Sequence, residues 1–239
     1  MTAMTQNDTR VRSDRSFFLA MAGAIAVTVA VGFSVSLARP QTAFAAAPLH
    51  VHIHGAVFSL WILFYLVQNA LVVRGSIALH RALGMFGAGL ALVMVALGVL
   101  TTVLALKMHR VPPFFPPGVF LVLDITSVLT FAGLTFAAIA LRRDPAWHKR
   151  LMLCGTIMVM SPALGRLLPM PLLGPWGSWA VSGTMLLYVL AAVLYDRGTR
   201  GRVHTAYAWG AGAIIATQLA IAGLSFTPPV LALAARLQG

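Results

Sequence analysis

The chain has 239 residues, 59% hydrophobic and 9% charged, where a soluble domain carries roughly 25% charged residues. With a mean hydropathy of +0.89 and one cysteine, Cys154, the composition excludes a soluble enzyme, a disordered chain and a disulfide-framed secreted scaffold. The formal charge of +12 lies in short segments between apolar runs; it forms no basic stripe interleaved with aromatics, so it speaks for membrane orientation and against a nucleic-acid partner.

Seven apolar runs, at about 17–38, 49–73, 82–106, 118–141, 150–168, 176–195 and 204–226, can each cross roughly 30 Å of hydrocarbon as a helix. Their continuity rules out alternating barrel strands. The fold class is therefore all-α: a polytopic transmembrane bundle of about seven spans in the lipid bilayer, with a cytoplasmic tail over 1–16 and one helical domain over 17–239.

The first run begins basic and ends near Ala43-Phe44-Ala45, in the manner of a signal peptide and its cleavage site. Its apolar core of about 22 residues exceeds the 7–15 of such a region, which favours a retained span. Between the third and fourth runs stand Pro112, Pro113, Pro116 and Pro117, and Pro162, Pro169, Pro171 and Pro175 break up the end of the fifth and the loop after it. With the N-terminus inside, the inner segments hold Arg10, Arg12, Arg15, Arg74, Arg81, Arg142, Arg143, Lys149, Arg150, Arg197, Arg200 and Arg202, against Arg39, Lys107, Arg110, Arg166 and Arg236 outside. That bias orients the chain N-inside in a bacterial inner membrane.

Ionisable groups at membrane depth are costly and mark sites. On the outer side, His50 and His54 share one face of the second span, an i, i+4 spacing that can place two imidazoles on one metal. His52 points about 160° away from both. Asp124 lies roughly 9 Å below the outer end of the fourth span, level with His54. A metal set of His50, His54 and Asp124, with His109 and Arg166 at the same level, is one reading. An Asp124–Arg166 ion pair that fixes helix packing is the other. On the inner side, His80 and His148 open the third and fifth spans, near Gln68, Asn69 and Asp144. Facing each other, these two histidines would bind a haem iron axially; Arg81 and Lys149 after them suit haem propionates or lipid phosphate. His204 opens the seventh span in the same manner, as repeated hairpins or interfacial anchoring would produce.

Several readings are excluded. A retinal Schiff base needs a lysine within a span, and Lys107 and Lys149 stand at helix ends. No phosphate loop, nucleophile elbow or M-x-x-M ladder beside the histidines occurs.

His50-Val51-His52-Ile53-His54-Gly55, His80-Arg81-Ala82-Leu83-Gly84 and His148-Lys149-Arg150-Leu151-Met152 together resemble a group of uncharacterised bacterial membrane proteins. That group shares an H-x-H-G, H-R-x-L-G and H-K-R-L-M layout. The likeness covers about residues 48–170, and implies a polytopic bundle without assigning an activity. A looser similarity is to transmembrane dihaem cytochromes b, with histidines near both surfaces; here the outer ones are bunched on one helix. The functional expectation is a metal- or haem-binding redox or assembly protein, exchanging electrons with a membrane quinone or redox partner. The alternatives are a proton- or ion-coupled transporter and a partner subunit without chemistry of its own.

Overall fold

In hydrocarbon every backbone N–H and C=O must find an internal partner, and long apolar runs satisfy that demand as helices. The computed structural model describes residues 6–38, 46–112 and 115–239, with side chains from Ser13 onward, so Pro113 and the Ala43-Phe44-Ala45 stretch lie outside it. Among the described residues the regular elements are α1 (Gln6–Leu37), α2 (Leu49–Val73), α3 (Ile77–Lys107), α4 (Pro117–Ala140), α5 (Pro145–Val159), α6 (Ser161–Leu167), α7 (Met170–Leu173), a 3-10 turn at Gly174–Trp176, α8 (Gly177–Arg200), α9 (Ala206–Leu224) and α10 (Pro228–Gln238). Six stretches are long and apolar enough to cross a membrane: Ser13–Leu37, α2, α3, α4, Met170–Arg200 and α9. The chain is a multi-pass membrane protein.

The fifth expected span falls on α5 and α6, and neither is long enough by itself. Pro162 lacks an N–H for the Met158 carbonyl and kinks the helix at Met160 and Ser161. This broken helix forms the axis of the bundle. Leu151, Leu153, Cys154, Ile157 and Met158 are buried on every side of it, as befits a helix surrounded by protein. Around it, α1, α2, α3, α4, α9 and α8 follow one another as neighbours. The ring closes between α8 and α1, where Phe17 stacks on Tyr195 at 3.9 Å and Thr28 meets Tyr188 at 2.6 Å. The ring helices bury one stripe each: on α2, Trp61, Tyr65 and Gln68 face inward while Leu60, Leu63 and Val67 face out. Large apolar side chains on the outer surface are what lipid requires and water would penalise.

Helix ends follow local chemistry. Asp144 caps α5, accepting from the Ala146 and Trp147 amides at 2.8 and 3.3 Å, with Pro145 supplying a first-turn residue that needs no partner. The expected tail over 1–16 is helical from Gln6, continuous with the first span. Two features fall outside the expectations. α10 packs Ala234 against Leu106 and Leu121, at the ends of α3 and α4. His109 adopts φ +53, closing α3 as the left-handed residue of a Schellman turn, with Arg110 N–H on the Ala105 carbonyl at 2.8 Å.

Candidate functional site

Residues 147–150 are consecutive on a helix, so their side chains leave it about 100° apart and sweep the full circle. At the start of the central helix each one meets a different wall of the bundle. The Trp147 ring lies edge-on to His204, before α9, at 5.2 Å. His148 turns toward α3 and α4, its Nδ1 donating to the Ala138 carbonyl at 2.8 Å and its ring centre 6.3 Å from that of His80. Lys149 pairs with Asp14 of α1. Arg150 points at α8, donating from Nε to Asp196 Oδ2 at 2.9 Å and from Nη2 to Oδ1 at 2.6 Å.

The ionic half of this layer is closed on itself. Arg200 bridges the two carboxylates, reaching Asp14 at 2.9 Å and Asp196 at 3.5 Å. Arg150 and Asp196 are fully buried. A third Arg150 nitrogen donates to the Ala146 carbonyl at 2.9 Å, and its guanidinium lies 5.9 Å from the Phe18 ring and 5.5 Å from the Tyr207 ring. Lys149 is therefore engaged by a side chain of the protein, where haem propionate or lipid phosphate was expected; Arg81 is exposed. His204 accepts from the Ala206 amide through Nδ1 at 3.2 Å, capping α9. Burial, reinforced by nearby Arg150, holds His204 below the usual imidazole range, consistent with the unprotonated nitrogen that the cap uses.

His80 and His148 stand with their ring centres 6.3 Å apart. Because Nδ1 of His148 is committed to a carbonyl, its Nε2 is left as the ring's free nitrogen, the arrangement by which proteins orient metal-binding imidazoles. His80 lies beside the Gln68 backbone carbonyl, and its buried Nδ1 has no hydrogen-bond partner among the described residues. Two imidazoles that reach one metal from opposite sides at about 2 Å place their ring centres roughly 6 Å apart, so the observed separation fits a shared ion.

Toward the other end of the bundle, α3 separates the residues expected to form a metal set. On its α2 side, His54 stacks on Phe58 at 4.0 Å and faces the Leu97 carbonyl, with His50 near enough to act on it electrostatically. On its α4 side, Asp124 accepts from Thr102 at 3.2 Å. Arg166 acts on Asp124 through the field, while its guanidinium caps the Phe33 ring at 4.4 Å and donates to the Pro162 carbonyl at 2.8 Å. Among the described residues no three His, Cys, Asp or Glu side chains are grouped to hold a metal, so His50, His54 and Asp124 are not gathered into one centre. His109 is exposed, and its place is explained by the turn that it makes. The feature missed by sequence reasoning is the Arg150–Asp196 pair. Its signal was present in the spacing: four polar or aromatic side chains in a row on a helix cannot all face headgroups.

No protein-family model, characterised protein or solved structure matches this chain.

Proposed function

We propose that the protein is a seven-span component of the bacterial inner membrane, N-terminus in the cytoplasm, that binds a transition metal or haem iron between His80 and His148. Its role in that reading is redox exchange with a membrane quinol or partner protein, or delivery of the metal to another complex. The observation that carries it is the facing pair: His148 oriented by the Ala138 carbonyl, and His80 with a buried, unpartnered nitrogen 6.3 Å away between ring centres. The bound ion would supply the redox or Lewis-acid chemistry; the protein's own part is to hold two imidazoles on separate helices at a fixed spacing inside the bundle. The seventh crossing is α5 with α6, which runs beside α1 from Lys149–Asp14 at one end to Arg166–Phe33 at the other. The motif layout around the three histidine stretches supports membership of the uncharacterised bacterial group described above.

Elemental analysis and absorption spectra of detergent-purified protein, never exposed to chelator, test this reading. Near-stoichiometric metal or haem is expected, lost in His80→Ala and in His148→Ala. Metal-free wild type would sink it.

A second reading, a proton-coupled transporter, is favoured by Asp124, an in-membrane carboxylate that accepts a hydrogen bond from Thr102. It requires flux in proteoliposomes that vanishes in Asp124→Asn.

A further inference from the structure

Gln68 is 6% exposed, yet neither its Nε2 nor its Oε1 has a hydrogen-bond partner among the described residues. A buried amide left unpaired is costly, and leucine would fill the same volume without that cost. Its position explains why an amide is there. Gln68 continues the inward stripe of Trp61 and Tyr65 on α2, which packs against α5, and its backbone carbonyl stands beside the His80 ring. The backbone of Gln68 thus stands at the level where the rings of His80 from α3 and His148 from α5 lie 6.3 Å apart, and its amide is buried on the inward face of α2. Three helices each contribute one group, and two of the three, Gln68 and His80, carry buried polar atoms without partners.

We infer that Gln68 Oε1 is the third protein donor of this site, and that the site takes a non-haem divalent first-row metal ion with an open coordination position. The inference rests on the metal reading above and decides between its two forms. Imidazole nitrogen with a carbonyl oxygen suits iron, copper or nickel; two imidazoles on opposite sides of the ion, as their 6.3 Å separation fits, belong to a tetragonal or octahedral sphere, where three protein ligands leave positions for an exogenous molecule. Haem iron takes four nitrogens from its macrocycle and two axial ligands, so a third side chain has no place on it. With Oε1 on the metal, the Gln68 amino group stays free to donate to whatever the metal holds.

The test is a titration of the full-length, detergent-purified chain with Co²⁺, read by visible absorption and by bound cobalt per chain. Wild type is expected to bind one ion. Gln68→Leu lowers the affinity by about tenfold or more, while the metal-free variant melts no lower than wild type because no hydrogen bond is lost. Gln68→Glu, which offers an anionic oxygen in the same place, binds more tightly than Gln68→Leu. Equal affinity of Gln68→Leu and wild type would overturn the inference and leave the two-histidine site standing. A haem absorption band in the purified protein would overturn it in favour of the haem form. Wild type that binds no cobalt would remove the metal reading itself.

Discussion

Arg150 and Asp196 form a two-point ion pair, at 2.9 and 2.6 Å, in which both side chains are fully buried although they lie 46 positions apart in sequence. The pair ties the central helix to α8, and Arg200 joins it to the Asp14–Lys149 pair that ties the same helix to α1. Removing one partner strands the other charge in a place without water. Arg150→Met or Asp196→Leu alone is expected to destabilise the bundle by about 3–5 kcal/mol, and the double variant to recover most of that loss. Thermal melts of the four proteins in one detergent check this; a double variant no better than either single one would contradict it.

Gly32 is where α1 touches α6. A β-carbon there would stand 2.6 Å from the Ala163 carbonyl oxygen, whereas one at Gly23 meets nothing within 4 Å. Gly32→Val should cost about 1–3 kcal/mol, and Gly23→Ala should leave the melting temperature nearly unchanged. Since Phe18, Met21, Ala22 and Ile25 of α1 are buried in the core, the packing also predicts that α1 stays attached. N-terminal sequencing of protein purified from membranes is expected to begin ahead of Ser13.

His109 holds a left-handed backbone conformation, φ +53, that costs a side-chain-bearing residue about 1–2 kcal/mol and glycine nothing. His109→Gly is therefore expected to raise stability slightly and to leave metal content untouched. A fall in metal per chain would return His109 to the list of ligands.

Burial holds His204 below the ordinary imidazole pKa in the folded chain. A lowered imidazole pKa means that the unfolded chain takes up the proton first. The stability linked to this burial-lowered imidazole is complete above the ordinary range, about pH 6.5, and is lost as pH falls through the folded value. His204→Asn caps without titrating, so in melts recorded from neutral to acidic pH it should lose less stability than wild type.

Orientation is testable with cysteines placed at exposed loop and end positions, since native Cys154 is buried. A membrane-impermeant maleimide should label Arg236→Cys in intact spheroplasts and label Ser76→Cys only after permeabilisation. The reverse pattern would place the N-terminus outside.

The sequence and the structure agree best where one signal suffices. The second span, expected at about 49–73, is observed as Leu49–Val73, because Pro48 starts it and Gly75, at φ +76, ends it. His80 and His148 pair in the sequence because both open helices on the same side, and their rings are neighbours in the structure. The central helix was harder to recognise. Its composition is that of an ordinary span, and its difference lies in having protein on all sides, which emerges only when six other helices close around it. Lys149 reads as a partner for haem propionate or lipid phosphate, and Arg150 as one more inner-side charge, for the same reason: their carboxylate partners are far away in sequence, at Asp14 and Asp196. α10 escaped notice because eleven residues are too few to cross a membrane and its apolar stripe is matched to the ends of α3 and α4.

The spacing of the Arg150–Asp196 pair also bears on how the protein is made. The ribosome completes α5 and α6 well before it reaches Asp196, so Arg150 enters the membrane region with its counter-charge still unsynthesised. A 15-residue helix, short of a full span and followed by a proline kink, partitions less readily into lipid by itself than a continuous apolar run. It can wait at the membrane surface, with the guanidinium at the headgroups, and move to the axis when α8 and α9 arrive. Insertion of the central helix is then expected to depend on the last part of the chain, and truncation after α6 is expected to leave Arg150 without its partner and the helix off the axis.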